Sequence, residues 1–280
     1  MSLWYALWDA LPFEALHWDF MKNALLAVIL MAPLFGLLST MIVTGRMSFF
    51  SDALGHSAFT GIAIGAICGA SDPTWVAVIF AIAFAALFSF VRSRSNQAAD
   101  TVIGVFSSTA VALGIFIATL GGGSFTKYNR YLIGDVLSIT PGQLGLLALV
   151  LLGVLAFWVL MSNRLTLCAI HPQLAASRGI HAAWTQGLFT AVIAVAVTLA
   201  ISWVGLLIIN SLLVLPAAAS RNIARNLRQY HGFAVLFALI AGVGGLILSY
   251  CLGASSGAAI CLILALVFAV TFAFRKVRNG

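Results

Sequence analysis

A chain of 280 residues with 62% hydrophobic and 8% charged residues lacks the polar surface of a soluble domain, where about 25% of residues are charged. Its 14 Lys and Arg against 7 Asp and Glu form no basic patch with interleaved aromatics. The cations sit in short gaps between apolar runs, which argues against nucleic acid as a partner and for a polytopic membrane protein.

Residues 1–22 read as an interfacial N-terminal segment. Trp4, Trp8 and Trp18 suit a membrane–water boundary, although a frayed apolar tail would have the same composition. Asp9, Glu14 and Asp19, with no basic residue in the first twenty positions, differ from a secretory leader. One transmembrane domain follows over 23–280. A ruler of about 20 apolar residues lays nine helical spans along it, near 23–44, 55–71, 74–91, 101–120, 142–161, 184–200, 202–219, 233–251 and 256–274. The predicted fold is therefore an all-α transmembrane bundle of eight or nine spans. Helices are preferred to barrel strands because the runs are continuous, not alternating. The stretch 121–141 opens on Gly121-Gly122-Gly123 and turns apolar from Tyr131 to Ile139, as a surface loop or a short re-entrant piece would. The longest polar stretches, 92–100, 162–183 and 220–232, are too short to hold a core of their own.

Three stretches carry polar chemistry. In Gly45-Arg46-Met47-Ser48-Phe49-Phe50-Ser51-Asp52-Ala53-Leu54-Gly55-His56, Asp52 and His56 are four apart and share a helix face. A carboxylate beside an imidazole is half of a site for a divalent transition metal. Equally, Asp52 fits a helix start favoured by the dipole, with His56 bonded locally. In the inner loop, Gln173, Leu174, Ala175, Ala176 and Ser177 can form a short helix, with Pro172 opening it and Arg178 and Gly179 closing it. Such a helix between spans is either a docking knob for a soluble partner or an ordinary connection. Further on, Asn210 stands inside an apolar run, either as an oxygen ligand or as a hydrogen-bond partner of a neighbouring helix. Pro216 removes a backbone donor and is expected to break this helix, a recurrent device at midplane binding sites.

Direction follows from the basic residues. With the N-terminus outside and the C-terminus cytoplasmic, Arg46, Arg92, Arg94, Arg164, Arg178, Arg221, Arg225, Arg228, Arg275, Lys276 and Arg278 lie inside, and Lys22, Lys127 and Arg130 lie outside. That is the positive-inside arrangement.

Several chemistries are missing. The three Lys give no G-x-x-x-x-G-K-[ST] loop, and there is no H-E-x-x-H helix, so the chain is not expected to be an enzyme. Gly253-Ala254-Ser255-Ser256-Gly257 matches G-x-S-x-G, but no His follows His231; small residues at a helix–helix contact explain it. Cys68, Cys168, Cys251 and Cys261 show no C-x-x-C spacing and read as structural thiols.

The stretches from Gly45 to Gly65, from Leu174 to Ile180 and from Val204 to Asn226 resemble the membrane subunits of zinc and manganese ABC importers, the ABC-3 permease family. The resemblance covers about residues 25–274, and Tyr131–Thr140 resembles the family's short segment before its next span. It implies a permease of the cytoplasmic (inner) membrane that carries Zn2+ or Mn2+ as cargo and holds no permanent cofactor. It also implies a second permease copy, a cytoplasmic ABC ATPase and an extracytoplasmic metal-binding protein. Carried over by position, Asp52 and His56 are the metal residues, Asn210 is a polar pathway position, and Gln173, Leu174, Ala175, Ser177, Arg178 and Gly179 dock the ATPase. Two departures stand out: no Asp precedes Ser256-Gly257, and His171-Pro172-Gln173 has no acidic residue. The alternative is a stand-alone, ion-coupled secondary transporter, which would need coupling carboxylates within its spans. Beyond the N-terminal segment, Asp52, Asp72, Asp100 and Asp135 all fall near predicted span ends.

Overall fold

A computed structural model describes residues 18–120 and 135–279. The interfacial segment, apart from its last five residues, and most of the Gly-rich stretch lie outside the described residues. The described residues form ten α-helices in order: α1 (Asp19–Thr44), α2 (Phe50–Ile67), α3 (Pro73–Arg94), α4 (Ala99–Leu120), α5 (Pro141–Ile170), α6 (Pro172–Ser177), α7 (Ala182–Val204), α8 (Leu206–Ile223), α9 (Leu227–Leu252) and α10 (Ser256–Asn279). A 3-10 turn, Val136–Ser138, precedes α5. No strand occurs among the described residues, so the chain is an all-α protein.

Among the described residues, eight helices are long and apolar enough to cross a membrane: every one except α2 and the six-residue α6. Each expected span coincides with a helix. The exception in character is α2, expected near 55–71, which starts at Phe50 and ends at Ile67. Its start brings Asp52 and His56 inside the helix, and these polar groups lower its apolar character below that of its neighbours. Local chemistry explains several ends. Asp72 accepts a hydrogen bond from Thr74 N–H at 2.9 Å, with Pro73 at the first helical position of α3. Asn226 accepts one from Gln229 N–H at 2.8 Å at the start of α9. Gly253 closes α9 in the left-handed region at φ 62°, which accounts for the first glycine of the G-x-S-x-G match.

The chain forms two compact units. The first takes the described part of Met1–Thr40 with Asp135–Gly153 and Ser211–Gly280. Within it α9 packs closely on α1 and α10: a Cβ at Gly36 would lie 2.9 Å from Val235 Cα, and one at Gly245 2.7 Å from Ile260 Cα. Tyr230 Oη donates to Thr40 O at 3.2 Å, and Ser220 Oγ to Tyr230 O at 2.7 Å.

The second unit comprises Met41–Gly134 and Val154–Asn210. Helix α2 is its centre, with thirteen of its residues buried; it packs against α3 and α4 and touches α7, and α7 in turn packs on α3. Phe50 meets Phe88 with ring centroids 4.6 Å apart, and Phe59, Ile62, Ala63, Ala77 and Ala118 form a dry cluster. The approach is tight because small residues line it: a Cβ at Gly61 would lie 2.5 Å from Ala77 Cα.

The helix break near Asn210 differs from expectation. Helix α8 runs unbroken from Leu206 to Ile223 with Pro216 inside it. The interruption falls at Gly205, between α7 and α8, where φ is 95° and ψ 154°. That region is essentially confined to glycine. Pro216 costs a backbone hydrogen bond but keeps a helical φ, whereas Gly205 reverses the sign of φ and cannot continue a helix.

Candidate metal site

Asp52 lies in the first turn of α2, where the helix dipole favours a carboxylate. One turn on, His56 Nε2 lies 3.4 Å from Asp52 Oδ2. Across the unit, Asn210 Nδ2 donates to Asp52 Oδ1 at 3.3 Å. The three residues singled out in the sequence, two on α2 and one 158 positions away on α8, therefore share one corner of the second unit. The other face of the amide is exceptional: Asn210 Oδ1 is buried and has no hydrogen-bond partner.

The backbone explains how they meet. Gly55 lies on α2 between Asp52 and His56, and a Cβ there would collide with the Leu206 side chain. Its absence lets the first turn of α8 approach, and Asn210 follows Leu206 by one helical turn. The chain reaches this approach through Gly205. One turn beyond His56 on α2, Thr60 Oγ1 donates to Ala110 O of α4 at 2.7 Å and lies 3.1 Å from His56 O. Sequence reasoning missed Gly55, Thr60 and Gly205. An isolated glycine between two apolar runs was the available signal for Gly205.

Side-chain exposure is 45% at Asp52 and 30% at His56, so neither is sealed inside the chain. The donor set is one carboxylate, one imidazole and an unsatisfied amide oxygen. No group of three or more His, Cys, Asp or Glu side chains occurs among the described residues. A structural zinc site closes with four protein ligands. This corner offers fewer.

The candidate docking residues also belong to the second unit. Helix α6 begins at Pro172, and Gly179 beyond its end has φ 72°. Gln173, Leu174, Ser177, Arg178 and Gly179 are exposed, while Ala175 is buried against the protein. Among the described residues, every carboxylate stands at a helix start: Asp19, Asp52 and Asp100 in first turns, Asp72 and Asp135 as caps.

A multi-pass, all-α chain that gathers Asp52, His56 and Asn210 at one corner of a helical unit has the architecture of a membrane transport protein. The chain belongs to the ABC 3 transport family, whose model matches residues 17–275; members are permease subunits, and the chain is a multi-pass protein of the cytoplasmic (inner) membrane. It is 27% identical over 90% of its length to the high-affinity zinc uptake system membrane protein ZnuB of Haemophilus influenzae, covering 97% of that protein. It is 25% identical over 92% of its length to the manganese transport system membrane protein MntC of Listeria monocytogenes, covering 92% of that chain. Among solved structures, PsaBC from Streptococcus pneumoniae in complex with Fab matches with a TM-score of 0.78 and 25% identity, over 97% of this chain and 95% of that one.

Proposed function

We propose that the chain is the permease subunit of an ATP-driven importer of a divalent metal ion, with zinc favoured over manganese. The observation that carries this reading is the meeting of Asp52, His56 and Asn210 across two helices in a chain of this family. A bare divalent ion in hydrocarbon costs tens of kcal/mol by the Born estimate, so a route must replace water with polar ligands and still let go. Asp52 supplies charge, His56 a nitrogen of borderline softness, and Asn210 Oδ1 an acceptor without a partner. An imidazole nitrogen binds zinc more strongly than manganese, although both accept the pair.

Energy comes from outside the chain, in an ATPase seated on the exposed face of α6. An extracytoplasmic metal-binding protein delivers the ion, and a second copy of the permease completes the route. The N-terminus is outside and the C-terminus cytoplasmic, supported by Arg92 and Arg94 in the last turn of α3 and Arg221 in that of α8. Among the described residues the carboxylates stand at helix starts, which lends the secondary-transport alternative no support.

The test is metal uptake into proteoliposomes holding the permease with its ATPase and binding protein. Asp52→Ala and His56→Ala should each abolish zinc uptake while the complex still assembles. Uptake unchanged in both variants removes the pair from the pathway. Uptake by the permease alone, without ATP, refutes the importer reading.

A further inference from the structure

A second polar place lies in the second unit, apart from the Asp52 corner. A cavity of about 290 Å3 opens where α1 ends and the turn into α2 begins. Arg46 and Arg92 both line it, with Gln186 beside them and Met47, Leu165 and Phe189 forming apolar wall. Arg92 ends α3, and its guanidinium is held on one side: Nη2 donates to Gly45 O at 3.1 Å. Its other amine, Nη1, is buried and has no hydrogen-bond partner. Arg46 adopts φ 55°, a left-handed conformation that side chains rarely take. Among the described residues, no ion pair joins either arginine to a carboxylate.

A buried guanidinium N–H without an acceptor is costly, because the group has left water and gained nothing in exchange. Arg46, exposed and lining the same cavity, adds a second positive charge to the demand for an anion. A planar guanidinium matches the oxygens of a phosphate. The apolar wall asks for more than an inorganic ion, and the arginines sit at span ends, where lipid headgroups lie. We propose that this cavity binds the phosphate of an anionic phospholipid headgroup, held by Arg92 and Arg46, with the glycerol end of the lipid against Met47, Leu165 and Phe189. A zwitterionic headgroup fits less well, because its choline cation would face the same arginines.

The full-length chain in detergent, titrated with short-chain phosphatidylglycerol, short-chain phosphatidylcholine and inorganic phosphate and read by native mass spectrometry, tests this. Phosphatidylglycerol should bind about tenfold tighter than phosphatidylcholine. Arg46→Gln and Arg92→Gln should each weaken it about tenfold without moving phosphatidylcholine. Because Arg92 also braces the Gly45 turn, Ala169→Phe serves as the second variant: Ala169 lines the cavity, and the change fills it with both charges in place. It should weaken phosphatidylglycerol equally. Inorganic phosphate that binds as tightly as phosphatidylglycerol would overturn the lipid source in favour of a free anion. Equal binding of the two lipids, or phosphatidylglycerol binding untouched by all three variants, would overturn the site. Variants that lose a co-purified ATPase while keeping phosphatidylglycerol would overturn it in favour of a protein carboxylate.

Discussion

Both oxygens of the Asp52 carboxylate are engaged, Oδ1 by the Asn210 amide and Oδ2 by the His56 imidazole. The two contacts differ in kind. The imidazole competes for the same electron pairs as a metal ion, so binding an ion replaces that contact. The amide can keep donating to Oδ1 while its own free oxygen turns to the ion. Asn210→Ala removes both services but leaves the charge and the imidazole. One hydrogen bond to a partly exposed carboxylate is worth about 1 kcal/mol, so the KM for zinc uptake should rise roughly fivefold, well short of the loss expected from Asp52→Ala. Asn210→Asp should act oppositely on binding. Two carboxylates side by side repel until a cation joins them, so KM should fall and turnover should fall with it as release slows. Initial uptake rates across a zinc series separate the two effects.

The two unusual positions of the α7–α8 pair make contrasting predictions at the level of the helix. Gly205→Ala forces a side chain into a region that costs about 1–3 kcal/mol. The chain can escape only by letting α7 run on into α8, which would swing Leu206 and Asn210 away from α2. Uptake should be lost even though no polar group is touched. Pro216→Ala restores a backbone donor in a helix that is already continuous and should leave uptake near wild type. If Pro216→Ala stops transport and Gly205→Ala does not, the break lies where the sequence first suggested. A second contrast concerns packing. Gly61→Ala drives a Cβ into Ala77 Cα, backbone against backbone, so α2 and α3 must part. Overpacking of this kind costs about 1–3 kcal/mol. Gly104 on α4 has nothing within 4 Å of an added Cβ, so Gly104→Ala should be silent. Thermal unfolding in detergent, with a lower Tm only for Gly61→Ala, is the check.

Elements were legible and their meetings were not. Continuous apolar runs announce helices because a bilayer demands internally bonded backbone, and each expected span has its helix. Asp52 and His56 share a face by spacing alone. Nothing local announces that Asn210 reaches Asp52, because that contact depends on Gly55 being bare opposite Leu206 and on the turn at Gly205. Pro216 removes a donor and crowds the carbonyl of Leu212, yet its φ is helical and the flanking turns carry α8 through it.

For the molecule as a whole, the decisive arrangement is that the Asp–His–Asn corner and helix α6 belong to the same compact unit. Helix α6 touches α7, and α7 packs on α3 and touches α2. A displacement imposed on α6 therefore has a contiguous packed route to the helix that carries Asp52 and His56. Packed helices shift between discrete arrangements more readily than they deform, so under the proposed function a push at α6 would change access to the Asp52 corner while Asp52, His56 and Asn210 stay together. Coupling of this kind requires that α6 be gripped from outside. Leu174 is 45% exposed, and Arg178 stands free at the end of the helix. Leu174→Glu and Arg178→Glu should therefore strip the ATPase from the purified complex and reduce zinc uptake to background. The Tm of the permease should not change, and neither should zinc binding at the Asp52 corner. Ala175, fully buried in the same turn, is the contrast: Ala175→Glu buries a charge without a partner and should lower the Tm as well. Co-purification, equilibrium zinc binding and thermal unfolding on the same samples distinguish a lost grip from a lost fold. Uptake that survived both surface substitutions would mean that force enters this unit somewhere other than α6.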